Sequence, residues 1–147
     1  RNDCSELSAE SFDVVVTNPP YRALSTGKVA PNAGRAAARH ELSGGIGDFL
    51  RASAGLLKTG GRFYIVYLSE RLAELLAEMR NFRIEPKRLR MVHSRSGDKA
   101  RLVLVEGRKN GKAGLEVEAP LIIYQGEGRD YTAEVLAMYG DHPDRNE

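Results

Sequence analysis

Asn18-Pro19-Pro20-Tyr21 is the stretch of this 147-residue chain whose residue types and order suit a chemical step. An NH2 group conjugated to a ring or a carbonyl is a poor nucleophile, because its lone pair is delocalised into the adjoining π-system. Chemistry on it requires the nitrogen to be held in line with the incoming group. The side-chain oxygen of Asn18 and the backbone carbonyl of Pro19 can accept the two N–H bonds and favour a pyramidal nitrogen as transfer proceeds. Two consecutive prolines stiffen these acceptors, since each fixes its own φ and the first drives Asn18 into an extended conformation. Tyr21 adds an aromatic face on which a flipped-out base can stack.

The same four residues would also serve as a turn without chemistry, because Asn-Pro and Pro-Pro are ordinary turn formers. Their context favours the chemical reading. The apolar run Phe12-Asp13-Val14-Val15-Val16-Thr17 reads as a buried parallel-type strand. Open α/β sheets place their sites in the loops that follow such strands.

The downstream periodicities describe an α/β progression that would position this loop. Ile46, Phe49, Leu50, Ser53, Leu56 and Leu57 fall at helical spacing, with Gly60-Gly61 as the stop. Arg62 to Leu68 is a near-continuous apolar and aromatic run, expected of a central strand covered on both faces. Ser69 is placed to cap the next helix, and Leu72, Leu75, Leu76, Met79 and Phe82 form its apolar stripe. Arg88 to Ser94 and Ala100 to Glu106 then read as two strands of a hairpin around Arg95-Ser96-Gly97-Asp98-Lys99. A third extended run, Leu121 to Tyr124, follows the turn Lys109-Asn110-Gly111-Lys112. A short helix over Tyr131 to Tyr139 precedes a polar tail.

Composition bounds the class. A hydrophobic fraction of 41% lets a chain of this length bury one core of ordinary domain size. No apolar run approaches membrane-spanning length and no secretory leader is visible, so a cytoplasmic location is expected. The single cysteine, Cys4, excludes an internal disulfide. His40, His93 and His142 lack ligand spacing, so no metal is expected. The net charge of +2 is small, but seven basic residues between Arg83 and Arg101 face only Glu85 and Asp98. Such a cluster, with Arg88, Arg90 and Arg95 in it, suits either phosphate contact or a solvated strand face. The loop from Arg22 to Gly47 is rich in Gly, Ala, Ser and Arg. Lys28, Arg35, Arg39 and His40 in it are placed either to meet the backbone around an extruded nucleotide or to order the loop through ion pairs.

From Phe12 to about Gly140 the sequence resembles the catalytic half of the bacterial tRNA(Val) (adenine-N6) methyltransferase family. The resemblance is carried by Asn18-Pro19-Pro20-Tyr21-Arg22, Arg35-Ala36-Ala37-Ala38-Arg39-His40-Glu41, and Asp48-Phe49-Leu50 through Leu56-Leu57-Lys58-Thr59-Gly60-Gly61-Arg62. Glu85-Pro86-Lys87-Arg88-Leu89-Arg90, Val92-His93 and Leu102-Val103-Leu104-Val105-Glu106 extend it. The resemblance implies the C-terminal half of a class I, Rossmann-like sheet, with parallel strands ending in an antiparallel hairpin over residues 1–140 and a tail over 141–147. It implies S-adenosyl-L-methionine as cofactor and a tRNA anticodon-loop adenine as substrate. Asn18, Pro19, Pro20 and Tyr21 would be catalytic, with Asn18 also beside the cofactor. Arg22, Lys28, Arg35, Arg39, His40, Arg88, Arg90 and Arg95 would bind RNA.

The tetrapeptide is shared with glutamine-N5 and with DNA or ribosomal RNA amino-methyltransferases, and these remain rivals. A noncatalytic piece that folds, dimerises or binds RNA is the rival of a different class. The Gly-rich cofactor turn of a class I methyltransferase is not found upstream of Asn18. Gly44-Gly45-Ile46-Gly47 does not follow a strand and reads as a flexible entry to a helix. The 147 residues are therefore expected to be the C-terminal part of a longer methyltransferase, inactive alone, and to expose a sheet edge suited to a homodimer or a swapped dimer. Calorimetry on this piece is expected to show no measurable S-adenosyl-L-methionine binding; saturable micromolar binding would overturn that expectation.

Overall fold

The computed structural model describes residues 9–19 and 46–140. The first strand, β1 (Phe12–Thr17), leads to helix α1 (Gly47–Leu56) and strand β2 (Leu57–Leu68). A single 3-10 turn, Ser69–Arg71, then opens α2 (Leu72–Asn81). Strands β3 (Ile84–His93) and β4 (Ala100–Lys109) follow, then the two-residue strands β5 (Glu116–Val117) and β6 (Leu121–Ile122), and helix α3 (Ala133–Gly140).

The strand order is β1-β2-β4-β3, with β5 and β6 both on the far edge of β3. β1 and β2 are parallel, in register from Val14 opposite Arg62 to Thr17 opposite Ile65. β4 runs antiparallel to both of its neighbours, while β5 and β6 run parallel to β3. The expected architecture of parallel strands with an antiparallel hairpin is therefore the one observed. Among the described strands, β4 alone reverses direction.

Alternation explains the core. Phe63, Ile65 and Tyr67 of β2 and Val103 and Val105 of β4 point to one face, where they are buried against Ile46, Leu50, Leu75 and Met79. The predicted stripe of α2 is this contact, with Leu72, Leu76 and Phe82 packed at its margin. The opposite face is covered only in part. Tyr64, Val66 and Leu68 are half-buried there, against the expectation of a strand enclosed on both sides. A smaller cluster of Val92, Leu121 and Val135, with Leu102, Leu104, Ile123 and Tyr131 around it, brings α3 onto this second face.

Local chemistry moves several boundaries. Helix α1 stops at Leu56, with Leu57 already extended, so Gly60-Gly61 is not its terminator. The two glycines instead lie in an irregularity between the Phe12–Leu57 and Val14–Arg62 pairs, where β2 carries three residues more than β1. Gly60 has φ +86°, and a Cβ on Gly61 would lie 2.8 Å from Leu57 and 2.9 Å from the Lys58 carbonyl. Ser69 does not cap α2 either. Its hydroxyl donates to the Ala100 carbonyl at 2.7 Å, fastening the end of β2 to the start of β4. Lys109 belongs to β4 rather than to the turn, which is made by Asn110 at φ 59° and a Gly111 N–H bonded to the Arg108 carbonyl. α3 begins at Ala133, after Thr132 has bonded the Ile122 carbonyl.

Two devices pin the end of the sheet where β1 begins. The Lys109 ammonium is buried and donates to the carbonyls of Ala54 at 2.7 Å and Leu57 at 2.9 Å, with Glu10 at 3.4 Å. A cation at a helix C-terminus satisfies carbonyls that lack intrahelical partners. Gly107 lets α2 approach β4, since a Cβ there would meet Met79 at 2.6 Å and Ile84 at 2.7 Å. Lys109→Met is expected to lower stability by about 1–3 kcal/mol, because it leaves buried carbonyls unsatisfied. Gly107→Ala is expected to cost about 1–3 kcal/mol through overpacking. Urea denaturation of both variants against the parent checks these values.

Candidate active site at the carboxyl ends of the strands

The carboxyl ends of β1, β2 and β3 lie at one end of the sheet, together with the amino end of β4. Asn18 is the first residue beyond the paired length of β1, whose last partner is Thr17 opposite Ile65. Pro19 cannot donate a ladder hydrogen bond, so pairing stops there. Asn18 is exposed and Pro19 is buried. Pro20 and Tyr21 lie outside the described residues, as do Arg22, Lys28, Arg35, Arg39 and His40.

The other strand ends surround this point. Tyr67, next to last in β2, is buried, and burial pushes its phenol above the ordinary tyrosine range, with Arg71 pulling it down and Glu74 adding to the rise. The loop between β3 and β4 carries Lys99, exposed, and β4 carries Arg101, also exposed, as its second residue. With β2 and β4 between β1 and β3, three strand spacings separate Asn18 from this loop, roughly 14 Å.

The three arginines predicted to bind RNA in this region hold intramolecular partners. Arg88 pairs with Glu106 at 3.1 Å and reaches Glu118 at 4.0 Å. Arg90 pairs with Glu134 and donates to the Ala119 carbonyl at 2.8 Å. Arg95 donates to the Gly128 carbonyl at 2.7 Å and lies 5.0 Å over the Tyr124 ring. Arg88 and Arg90 project onto the second face of the sheet, where they line a groove of about 350 Å³ with Val16, Tyr64, Val66 and Leu104. Arg62 is held further toward its charged form, first by a hydrogen bond with Tyr64.

One feature at this end carries no sequence signal. Tyr124, Tyr131 and Tyr139 are seven and eight residues apart in the chain, yet their rings follow one another at 5.6 Å and 5.6 Å. The antiparallel bridge between Tyr124 and Tyr131 creates the first step, and α3 returns Tyr139 to make the second. Among the described residues, no three His, Cys, Asp or Glu side chains gather as a metal site, and no helix is long and apolar enough to cross a membrane.

Solved structures share this fold. A predicted O-methyltransferase from Agrobacterium tumefaciens superposes with a TM-score of 0.68 at 23% identity, covering 91% of this chain and 53% of that one. A protein assigned as a DNA modification methylase from Thermus thermophilus gives 0.50 at 20% identity, covering 75% of this chain and 50% of that one. M1.HpyAVI gives 0.50 at 13% identity, covering 84% of this chain and 60% of that one. The sheet has a Rossmann-like, methyltransferase-type fold. At these identities the likeness is one of architecture, and the chain spans about half the length of the structures that it matches. No family model and no curated protein matches the sequence.

The raised Tyr67 phenol has a consequence at high pH. A folded-state value above the unfolded one near 10 contributes stability that is present below pH 10 and is lost as the pH rises through the folded value. Tyr67→Phe is therefore expected to lose less stability than the parent between about pH 9 and pH 11, measured by urea unfolding across that range.

Proposed function

We propose that this chain is the catalytic half of a cytoplasmic S-adenosyl-L-methionine-dependent N-methyltransferase that acts on the exocyclic N6 amine of an unpaired adenine in tRNA. The observation that carries the reading is the exposed Asn18, followed by a buried proline, at the carboxyl end of a parallel strand. The methyltransferase-type fold supports the reaction class. The Thermus thermophilus methylase has also been solved in complex with S-adenosyl-L-methionine.

The residues present fit such a donor on one side. Asn18 offers an amide oxygen beside the outer edge of β1, and Val14 and Val16 on that strand are exposed, Val16 at 72%. Val14 and Val16 share the second face of the sheet with Tyr64, and this partly open apolar face suits packing against a cofactor-carrying portion of the fold. S-adenosyl-L-methionine would supply an electrophilic methyl group on a sulfonium, whose sulfur would keep the electron pair of the broken carbon–sulfur bond as the adenine nitrogen forms the new one. The side-chain oxygen of Asn18 and the Pro19 carbonyl would hold the two N6 hydrogens and orient the nitrogen lone pair. Pro20 shapes the turn and Tyr21 supports the base from one face. The proton lost on methylation leaves through Asn18 or solvent. An anticodon loop suits this geometry because its bases leave the stack at lower cost than those of a duplex. Around the loop, Arg22, Lys28, Arg35, Arg39 and His40 would contact the RNA backbone, and Arg88, Arg90 and Arg95 would do so by exchanging their present partners for phosphate.

The test uses the full-length protein and tRNA lacking the modification. Asn18→Ala is expected to reduce N6-methyladenosine formation by at least a hundredfold with an unchanged melting temperature, read by mass spectrometry of nucleosides. Turnover equal to the parent would remove Asn18 from the reaction. Methyl transfer to glutamine or to DNA adenine, with none to tRNA, would move the substrate to one of the related classes.

A further inference from the structure

The structure assigns a second nucleic-acid contact, the tyrosine ladder Tyr124–Tyr131–Tyr139, as a stacking platform for an unpaired RNA base flanking the one that is methylated. The inference rests on the tRNA reading above and deepens it by naming where the loop is held outside the reaction point.

The ladder lies at the sheet end that carries Asn18. The Tyr124 N–H bonds the Ser94 carbonyl, one residue beyond the carboxyl end of β3, and Tyr131 bridges to it. Four strand spacings separate this position from β1, roughly 19 Å. A few nucleotides of extended single strand span that distance.

The rings are organised before any ligand arrives. Tyr124 and Tyr131 stack with an interplanar angle of 17°, and Tyr139 follows at 35°. Arg95 lies 5.0 Å over the Tyr124 ring. Gln125 donates to the Tyr131 carbonyl at 3.2 Å, holding the bend between them. The Tyr131 phenol is bonded to that of Tyr139, and this neighbour, ahead of Tyr124, raises its proton affinity. Tyr139 is the outermost ring and is 47% exposed. Aromatic side chains on which bases stack are the means by which proteins hold single strands, and an arginine plane extends such a column.

Charge does not favour RNA here. Arg129 is exposed on the segment between Tyr124 and Tyr131, with Glu127 and Asp130 exposed beside it. Stacking therefore supplies most of the affinity at this subsite, and its contribution varies little with salt.

The test measures binding of a fluorescently labelled RNA stem-loop with an unpaired seven-nucleotide loop to the full protein and to three variants, by anisotropy. Tyr139→Ala is expected to raise Kd by about fivefold to a hundredfold, the range of one lost base stack. Tyr139→Phe keeps the ring and is expected to bind within about twofold of the parent, while Tyr139→Leu, apolar but not aromatic, binds as weakly as alanine. The ratio between alanine variant and parent is expected to hold between about 50 and 200 mM salt. Parent-like binding by the leucine variant, or unchanged binding by all three, would overturn the platform. So would an effect of Tyr139→Ala on self-association, by sedimentation, without one on RNA affinity. The methylation assay with Asn18→Ala judges the function separately: its failure leaves the Tyr139 series readable, and an inert Tyr139 series leaves the Asn18 result intact.

Discussion

Parallel pairing of β1 with β2 is the constraint on which the candidate site depends. The two strands share one direction, so the carboxyl end of β1 opens beside that of β2 rather than beside the turn that begins it. The ladder ends at Thr17 and Ile65, and the prolines that follow Asn18 deny it any continuation. The asparagine is thus exposed by a geometric stop, with a buried proline behind it. A one-residue slip would exchange the two faces of β1, taking Val15 from the core and turning Val14 and Val16 into it.

Insertion of β4 between β2 and β3 divides the work of the molecule between the two ends of its sheet. At one end, Lys109 closes the C-terminus of α1 and Gly107 admits α2 to close contact, both backbone-level requirements of packing. At the other end, the strand tips are left to loops, tied by a few bonds such as Ser69 to Ala100. Open α/β folds place their ligand sites at such carboxyl strand ends.

The electrostatics of the second face also bear on function. Arg88, Arg90 and Arg95 form a basic run in the chain, but in space Glu106, Glu118, Glu134 and the Gly128 carbonyl have drawn them into partnerships. What remains around the strand ends is a mixture of charges with an aromatic column inside it.

Short-range rules carry much of this molecule. The period-two alternation of β2 and β4, the stripe from Leu72 to Phe82 and the glycine-containing hairpin loop are each legible in the residues, because each reflects contacts made within one or two elements. Asn18-Pro19 at a strand end is legible for the same reason. Other features required the assembled sheet. The roles of Ser69 and Gly60-Gly61 looked local but were decided by β4 and β1, which offered a carbonyl to one and a register irregularity to the other. The carbonyl partners of Lys109 lie 52 and 55 residues away. The tyrosine ladder exists only because an antiparallel bridge and a returning helix bring side chains of no common period onto one line. Sequence by itself determined what each segment can be, through backbone preference and the burial of alternate side chains; the tertiary structure alone decided which distant polar and aromatic groups meet, because that depends on strand order and register, which no local pattern encodes.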